Sequence, residues 1–453
     1  MKLTFDLVLR GGSCVTSTGI VHTDIGVRAG KIAAVGDLGR ASAEREIDVK
    51  GLHVLPGVID SQVHFREPGL THKEDLESGT RGAALGGVTA IFEMPNTNPS
   101  TTTQEALDHK LLLARGRTWV DHAFFIGAAA DNAEQLGELE RTPGCAGVKV
   151  FLGSSTGSLL VDDAAVLRRV LRSGRRRVAI HAEDEARLRE RKVLLEDPAV
   201  TVHAHPVWRD EQSALLATQQ VLRLAREEGR PLHILHVSTQ DELPLLEQHR
   251  DLATMEVTPQ HLTLTAPDCY DRLGTYAQMN PPLRDEAHQQ ALWNALREGL
   301  VDVIGSDHAP HTQAEKDRPY PESPSGMPGV QTLVPVMLTH VNAGRLSLER
   351  FVELTSAGPA RVYDVAGKGR IALGYDADFT VVDMGRRVRL DDSWIASRCG
   401  WTPFAGMEVH GFPLITIVRG QLVMREGELL GAPCGEPVRF ATALPRARVR
   451  PAS

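Results

Sequence analysis

The chain has 453 residues, 42% hydrophobic and 24% charged, with 50 basic and 58 acidic side chains and a net charge of −8. That composition fits about two to three globular domains and excludes disordered, collagenous and disulfide-scaffold classes. The acidic balance, with no long basic run, argues against nucleic acid and anionic membrane as partners.

No run of about 18 apolar residues exists, as a membrane span would need. The opening MKLTFDLVLRGG alternates polar and apolar residues and has no apolar core like that of a signal peptide, so the cytoplasm is the expected compartment. Cys14, Cys145, Cys269, Cys399 and Cys434 are odd in number and show no CxxC spacing, so they read as plain thiols. Histidine is the skewed count, at 18. Any metal site is therefore expected to be built from nitrogen and oxygen rather than sulfur.

Residues 1–56 read as short alternating strands with Gly turns, a small antiparallel sheet. Residues 57–365 alternate apolar strands with helical stretches such as 211–228 and 287–298. Eight strands are predicted there: 57–64, 88–94, 122–128, 147–152, 178–181, 232–236, 253–257 and 301–307. Eight βα units in roughly 250 residues or more is the size of a (β/α)8 TIM barrel. A doubly wound open sheet is the alternative, but no GxGxxG follows a strand. Residues 366–453 return to strands, so a small β-sandwich domain built from both ends is expected to flank the catalytic barrel. Beyond about residue 431 the chain is rich in Pro and Arg and reads as a loosely packed tail.

Polar residues at the C-terminal ends of barrel strands are the catalytic candidates. Five stand out: His64, Lys149, His181, His236 and Asp307, at spacings that place them on strands 1, 4, 5, 6 and 8. Each His alone could be a hydrogen-bonded structural residue. A lysine inside an apolar strand is harder to dismiss, because a buried ammonium is costly unless paired or chemically altered. Together they point to metal.

The motifs Pro56-Gly-Val-Ile-Asp-Ser-Gln-Val-His-Phe-Arg-Glu-Pro-Gly, Glu93-Met-Pro-Asn-Thr-Asn-Pro, His181-Ala-Glu-Asp, His236-Val-Ser-Thr, Glu256-Val-Thr-Pro-Gln-His, Asn280-Pro-Pro-Leu-Arg and Asp307-His-Ala-Pro-His resemble those of the amidohydrolase superfamily, and within it the dihydroorotases. Lys368-Gly-Arg-Ile-Ala-Leu-Gly-Tyr-Asp-Ala-Asp extends the likeness to nearly the whole chain. The resemblance implies a zinc site of one or two ions, with a carboxylated Lys149 as the bridging ligand. His64, His181 and His236 fall on metal-ligand positions, and Asp307 on that of a metal-bound acid/base. The family pattern opens with His-x-His, and here its first position is Gln62, a neutral and weaker ligand. Gln62 implies a weakly held first metal, a mononuclear site, or drift to another substrate.

In dihydroorotases the residues matching Arg66, Asn96 and His311 bind the substrate carboxylate, and Asn280 resembles a residue whose backbone contacts the pyrimidine ring. A guanidinium suits a planar carboxylate because two N–H bonds can form in parallel; otherwise Arg66 is a surface partner of Glu67. The implied activity is interconversion of N-carbamoyl-L-aspartate and (S)-dihydroorotate in de novo pyrimidine synthesis. A hydantoinase- or allantoinase-type hydrolase is the second reading, and a metal-poor scaffold for aspartate transcarbamoylase the third. A homo-oligomer is expected by analogy. Segment 312–328 reads equally as a lid or a solvated connection. Glu183-Asp184 read as orienting or helix-start residues, His203 and His205 as structural, and Trp208 and Arg209 as packing.

Overall fold

The structure is a computed structural model and describes residues 4–39, 41–155 and 159–443. The last part of the Pro- and Arg-rich tail, from 444 on, lies outside the described residues.

Eight parallel strands, Val58–Val63, Val88–Glu93, Asp121–Gly127, Cys145–Phe151, Val178–His181, Leu232–Ile234, Ala253–Val257 and Val303–Ile304, follow one another in chain order around a barrel. The ring closes where Val63 bridges His308 in parallel and the His64 N–H donates to the His308 carbonyl at 2.7 Å. Nearly every strand residue is buried, as expected of parallel strands covered on both faces. Inward, Ile59, Ala90, Phe92, Ala123, Phe125, Ala179 and Val303 pack with Tyr363 in one cluster. Outward, Ile91, Ile126, Val148, Val150, Ile180, Ile234 and Val257 pack against the helices.

Helix starts follow acidic and hydroxyl caps. Asp210 accepts from the Ser213 N–H to open Glu211–Glu228, which ends at Gly229 in the left-handed conformation. None of the helices among the described residues is long and apolar enough to cross a membrane.

Thr4–Pro56 and Phe379–Leu429 supply one nine-stranded sheet beside the barrel. Its N-terminal part is mixed rather than antiparallel. Thr4–Thr16 runs antiparallel to Gly19–Arg28 but parallel to both Ser42–Asp48 and His53–Pro56. Period-two alternation fixes which face of a strand is buried, not the direction of its partner. The loosely packed tail is also corrected for the described residues: Val438 and Phe440 are buried in the same cluster as Phe92 and Tyr363. Pro437 bridges His122 near the start of its strand, so this segment covers the N-terminal end of the barrel.

Candidate active site

A small cavity opens at the C-terminal ends of the strands, lined by Gln62, His64, Arg66, Asn96, Lys149, His181, His236, Asn280 and Asp307 together with Phe151, Ser155, Ala309, Ser325 and Gly326. Every expected site residue except His311 therefore borders one space. His311 is fully buried, with its Nε2 3.3 Å from Arg66 Nη2. Arg66, His236 and Asp307 all hold left-handed backbone (φ 65°, 38° and 46°), conformations that non-glycine residues keep only where the surroundings impose them.

The donors are oriented by hydrogen-bond partners, Glu183 among them in the orienting role expected of it. His64 Nδ1 lies 2.7 Å from Asn96 Oδ1, so it carries the proton, and the Nε2 lone pair faces Asp307 Oδ1 at 3.3 Å. His181 Nε2 donates to Glu183 Oε2 at 2.9 Å, which turns its Nδ1 toward His236 Nε2 at 3.0 Å. Burial pushes all three imidazoles below their usual range, so they are neutral and keep lone pairs. Burial also lowers the Lys149 ammonium to about 7, against the opposing pull of Asp307 and Glu256. Burial would raise Asp307, but the basic groups that face it, His64, His236 and Lys149, outweigh this and hold it below the ordinary carboxylate range.

Among the described residues, no group of three or more His, Cys, Asp and Glu side chains is arranged to hold a metal ion unaided. The donors stand as two pairs, His64 with Asp307 and His181 with His236, and Lys149 and Gln62 share their cavity. Gln62 turns its Nε2 toward Asp307 Oδ1 at 3.0 Å, and its buried Oε1 has no hydrogen-bond partner. Two electron-rich atoms facing each other at His64 and Asp307, neutral imidazoles and an unpartnered amide oxygen are the surroundings a divalent cation would suit.

Arg66 is 1% exposed and makes no ion pair with Glu67, which binds Arg117 instead. Its Nε donates to the Pro310 carbonyl at 3.2 Å, and its Nη1 is buried without a partner. Burial pulls this guanidinium down to about 10. Asn280 is held through its side chain, with Oδ1 3.1 Å from His205 Nε2 and Nδ2 donating to Ser155 at 3.3 Å. His205 also reaches the Met279 carbonyl, whereas His203 makes an exposed pair with Asp271.

Other residues take roles that the motif reading left open or read differently. Arg209, read as packing, is buried and ion-paired with Glu183, so it braces the group that orients His181. Asp184 caps the helix Glu185–Arg191. Glu256 lies buried near Lys149 and Asp307, accepts from Ser61 at 3.2 Å, and is pushed up to about 8 by burial and by Asp307. Asp60 accepts from the Ser306 N–H at 3.0 Å and so ties the first strand to the last. Segment 312–328 is part packed and part exposed. Lys316, Tyr320, Ser323 and Met327 are buried, and Ser325 and Gly326 line the cavity.

A barrel of this kind with such a site defines a class, and the comparisons agree: residues 53–423 match the amidohydrolase family, and the chain belongs to it. Members of this family generally use a metal cofactor. The chain is 36% identical over 443 residues to the dihydroorotase of Methanosarcina mazei, covering 94% of this chain and 96% of that one. It is 34% identical to the allantoinase of Deinococcus radiodurans, covering 96% and 99%. Among solved structures, the L-hydantoinase of Arthrobacter aurescens superposes with a TM-score of 0.91 at 32% identity, covering 96% and 99%. These relatives fit a hydrolase of cyclic amides.

Proposed function

We propose that the chain is a zinc-dependent dihydroorotase, interconverting N-carbamoyl-L-aspartate and (S)-dihydroorotate. The observation that carries this reading is the buried, unpartnered Nη1 of Arg66 on the cavity wall. A buried cation left without an acceptor is costly, and a substrate carboxylate removes that cost. A hydantoin or allantoin ring carries no carboxylate for it. Asn96, which orients His64, and His311, beside Arg66, complete the carboxylate end, and Asn280 borders the ring.

His64, His181, His236, Asp307 and a carbamate on Lys149 would hold zinc, which when bound makes water acidic enough to ionise near neutral pH and polarises the ring carbonyl. At about 7, a large share of the Lys149 amine is neutral, the form that adds CO2. The carbamate replaces a buried cation with an anion suited to metal. Asp307, kept ionised, accepts a proton from the attacking water at its carboxylate and returns it to the departing ring nitrogen; synthesis runs the same transfers in reverse. Gln62 donates to Asp307 and so helps hold that carboxylate in place. Metal analysis separates two stoichiometries. One zinc per chain leaves Gln62 as a hydrogen-bond donor only, whereas two give its Oε1 a ligand's place.

A scaffold for aspartate transcarbamoylase would have no use for an unpaired guanidinium and a strained Asp307 at the mouth of the barrel. The test is ring opening by the zinc-loaded protein with dihydroorotate, hydantoin and allantoin. Preference for dihydroorotate is expected. Turnover of hydantoin or allantoin alone would overturn the assignment, and no turnover with no bound metal would favour the scaffold.

A further inference from the structure

We propose that Lys73 is a positioning residue that keeps Arg66 available to an anionic substrate by fixing the tautomer of His311. The inference rests on Arg66 as the carboxylate clamp. Lys73 is 8% exposed, and its Nζ lies 3.1 Å from His311 Nδ1 and 3.0 Å from Glu315 Oε1. An ammonium has only hydrogens to offer, so His311 Nδ1 must accept and Nε2 must carry the imidazole proton. That Nε2–H donates to the Ser325 carbonyl at 3.0 Å.

Arg66 Nη2 is 3.3 Å from the same Nε2. With a hydrogen on both atoms, this approach is not a hydrogen bond. Both terminal nitrogens of Arg66 are then without an acceptor among the described residues, Nη1 outright and Nη2 because of the tautomer. That is the state a bidentate carboxylate requires. The other tautomer would present a lone pair at Nε2, and His311 would accept from Nη2 in competition with the substrate. Lys73 thus withdraws a competing acceptor. Glu315 balances its charge from the far side, and its own carboxyl is held at about 2, with Lys73 and Thr312 overcoming the effect of burial.

Gly326 lets segment 312–328 lie against this histidine. A Cβ there would sit 2.9 Å from His311 Cδ2 and 2.4 Å from the Ala309 carbonyl oxygen, at a φ of 145°. The tautomer therefore also fixes where Ser325 and Gly326 meet the cavity.

The test compares the zinc-loaded wild type with Lys73→Met, Lys73→Arg and Arg66→Met. Orotate serves as the carboxylate probe and uracil as its neutral counterpart, by calorimetry, alongside dihydroorotate kinetics. Lys73→Met is expected to raise the orotate Kd and the dihydroorotate KM about tenfold, with kcat within about twofold and uracil affinity unchanged. Lys73→Arg should restore both. Histidine-selective ¹⁵N spectra of the wild type should show a His311 signal protonated at Nε2, which Lys73→Met loses. Equal losses for orotate and uracil, no change for either, or a wild-type His311 protonated at Nδ1 would overturn the proposal, the last even if Lys73→Met does not fold. If Arg66→Met loses orotate and Lys73→Met does not, only the role of Lys73 falls. If the wild type binds neither orotate nor dihydroorotate, the carboxylate reading falls and takes this proposal with it.

Discussion

The two ends of the barrel are made from the same eight strands and differ in how their buried polar groups are met. At the N-terminal end, Val438 and Phe440 pack against Phe92 and Tyr363, and the atoms without a hydrogen-bond partner belong either to neutral groups, Tyr363 Oη and His122 Nε2, or to guanidiniums paired with a carboxylate, Arg230 with Glu140 and Arg419 with Asp121. At the C-terminal end, the unpartnered atoms include a nitrogen of a full guanidinium charge, beside an amide oxygen and an imidazole nitrogen. A neutral orphan, or a charge that faces its counter-charge, costs little beside a buried charge with no ion pair, which is the state of Arg66. The difference teaches that the lower end is complete as it stands, while the upper end is stable only at a cost that ligands relieve. Mutations at the two ends should separate accordingly.

The largest expected effect is at Asp307. Asp307→Asn removes the proton acceptor while keeping size, and kcat should fall about 10³-fold with the fold retained. A loss below tenfold would show that another group moves the proton. At the opposite end, Phe440→Ala should cost about 3 kcal/mol of stability, read from denaturant midpoints, and leave KM unaltered. A change in KM would show that the lower end is coupled to the site. Arg66→Met comes next. It should weaken dihydroorotate binding about 10²-fold, yet leave the protein at least as stable as the wild type, because replacing a buried unpaired charge by an apolar group is neutral or stabilising. Lost stability there would erase the contrast between the ends.

Much of this contrast was legible in the sequence, and the reason is periodic. A buried parallel strand shows as a short apolar run, so Val178–His181 stands out, and the polar residue closing such a run marks the upper rim. His64, Lys149, His181, His236 and Asp307 were singled out as candidates in that way. Lys73 and Glu256 were not, because their partners lie 238 residues away at His311 and 195 residues away at Ser61. Arg209 looked like packing because nothing local shows a guanidinium meeting Glu183. Direction of pairing was equally silent, which is why Ser42–Asp48 was expected to run antiparallel. The packed segment near Phe440 was hidden by composition, since Pro and Arg around it signal a loose tail while two apolar side chains suffice to dock it.

The smallest effect compares one histidine from each end. Burial lowers His122 to about 4, and burial together with Arg209 lowers His205 to about 3. Both are neutral in the fold and would titrate near 6.5 once unfolded. Below 6.5 the unfolded chain therefore binds protons that the folded chain refuses. The stability these groups contribute is complete above 6.5 and is lost as pH falls toward their folded values. At pH 5.5 the loss is about 1.4 kcal/mol for each. Denaturant midpoints at pH 7.5 and 5.5 should show that loss shrinking in His122→Gln and in His205→Gln alike. Ligand binding should tell them apart. His205 holds Asn280 at the cavity, so His205→Gln should also weaken substrate binding, whereas His122→Gln should leave it intact. An acid loss as steep in His122→Gln as in the wild type would mean that the lower end already takes up a proton while folded, and the contrast between a complete end and a demanding one would have to be redrawn.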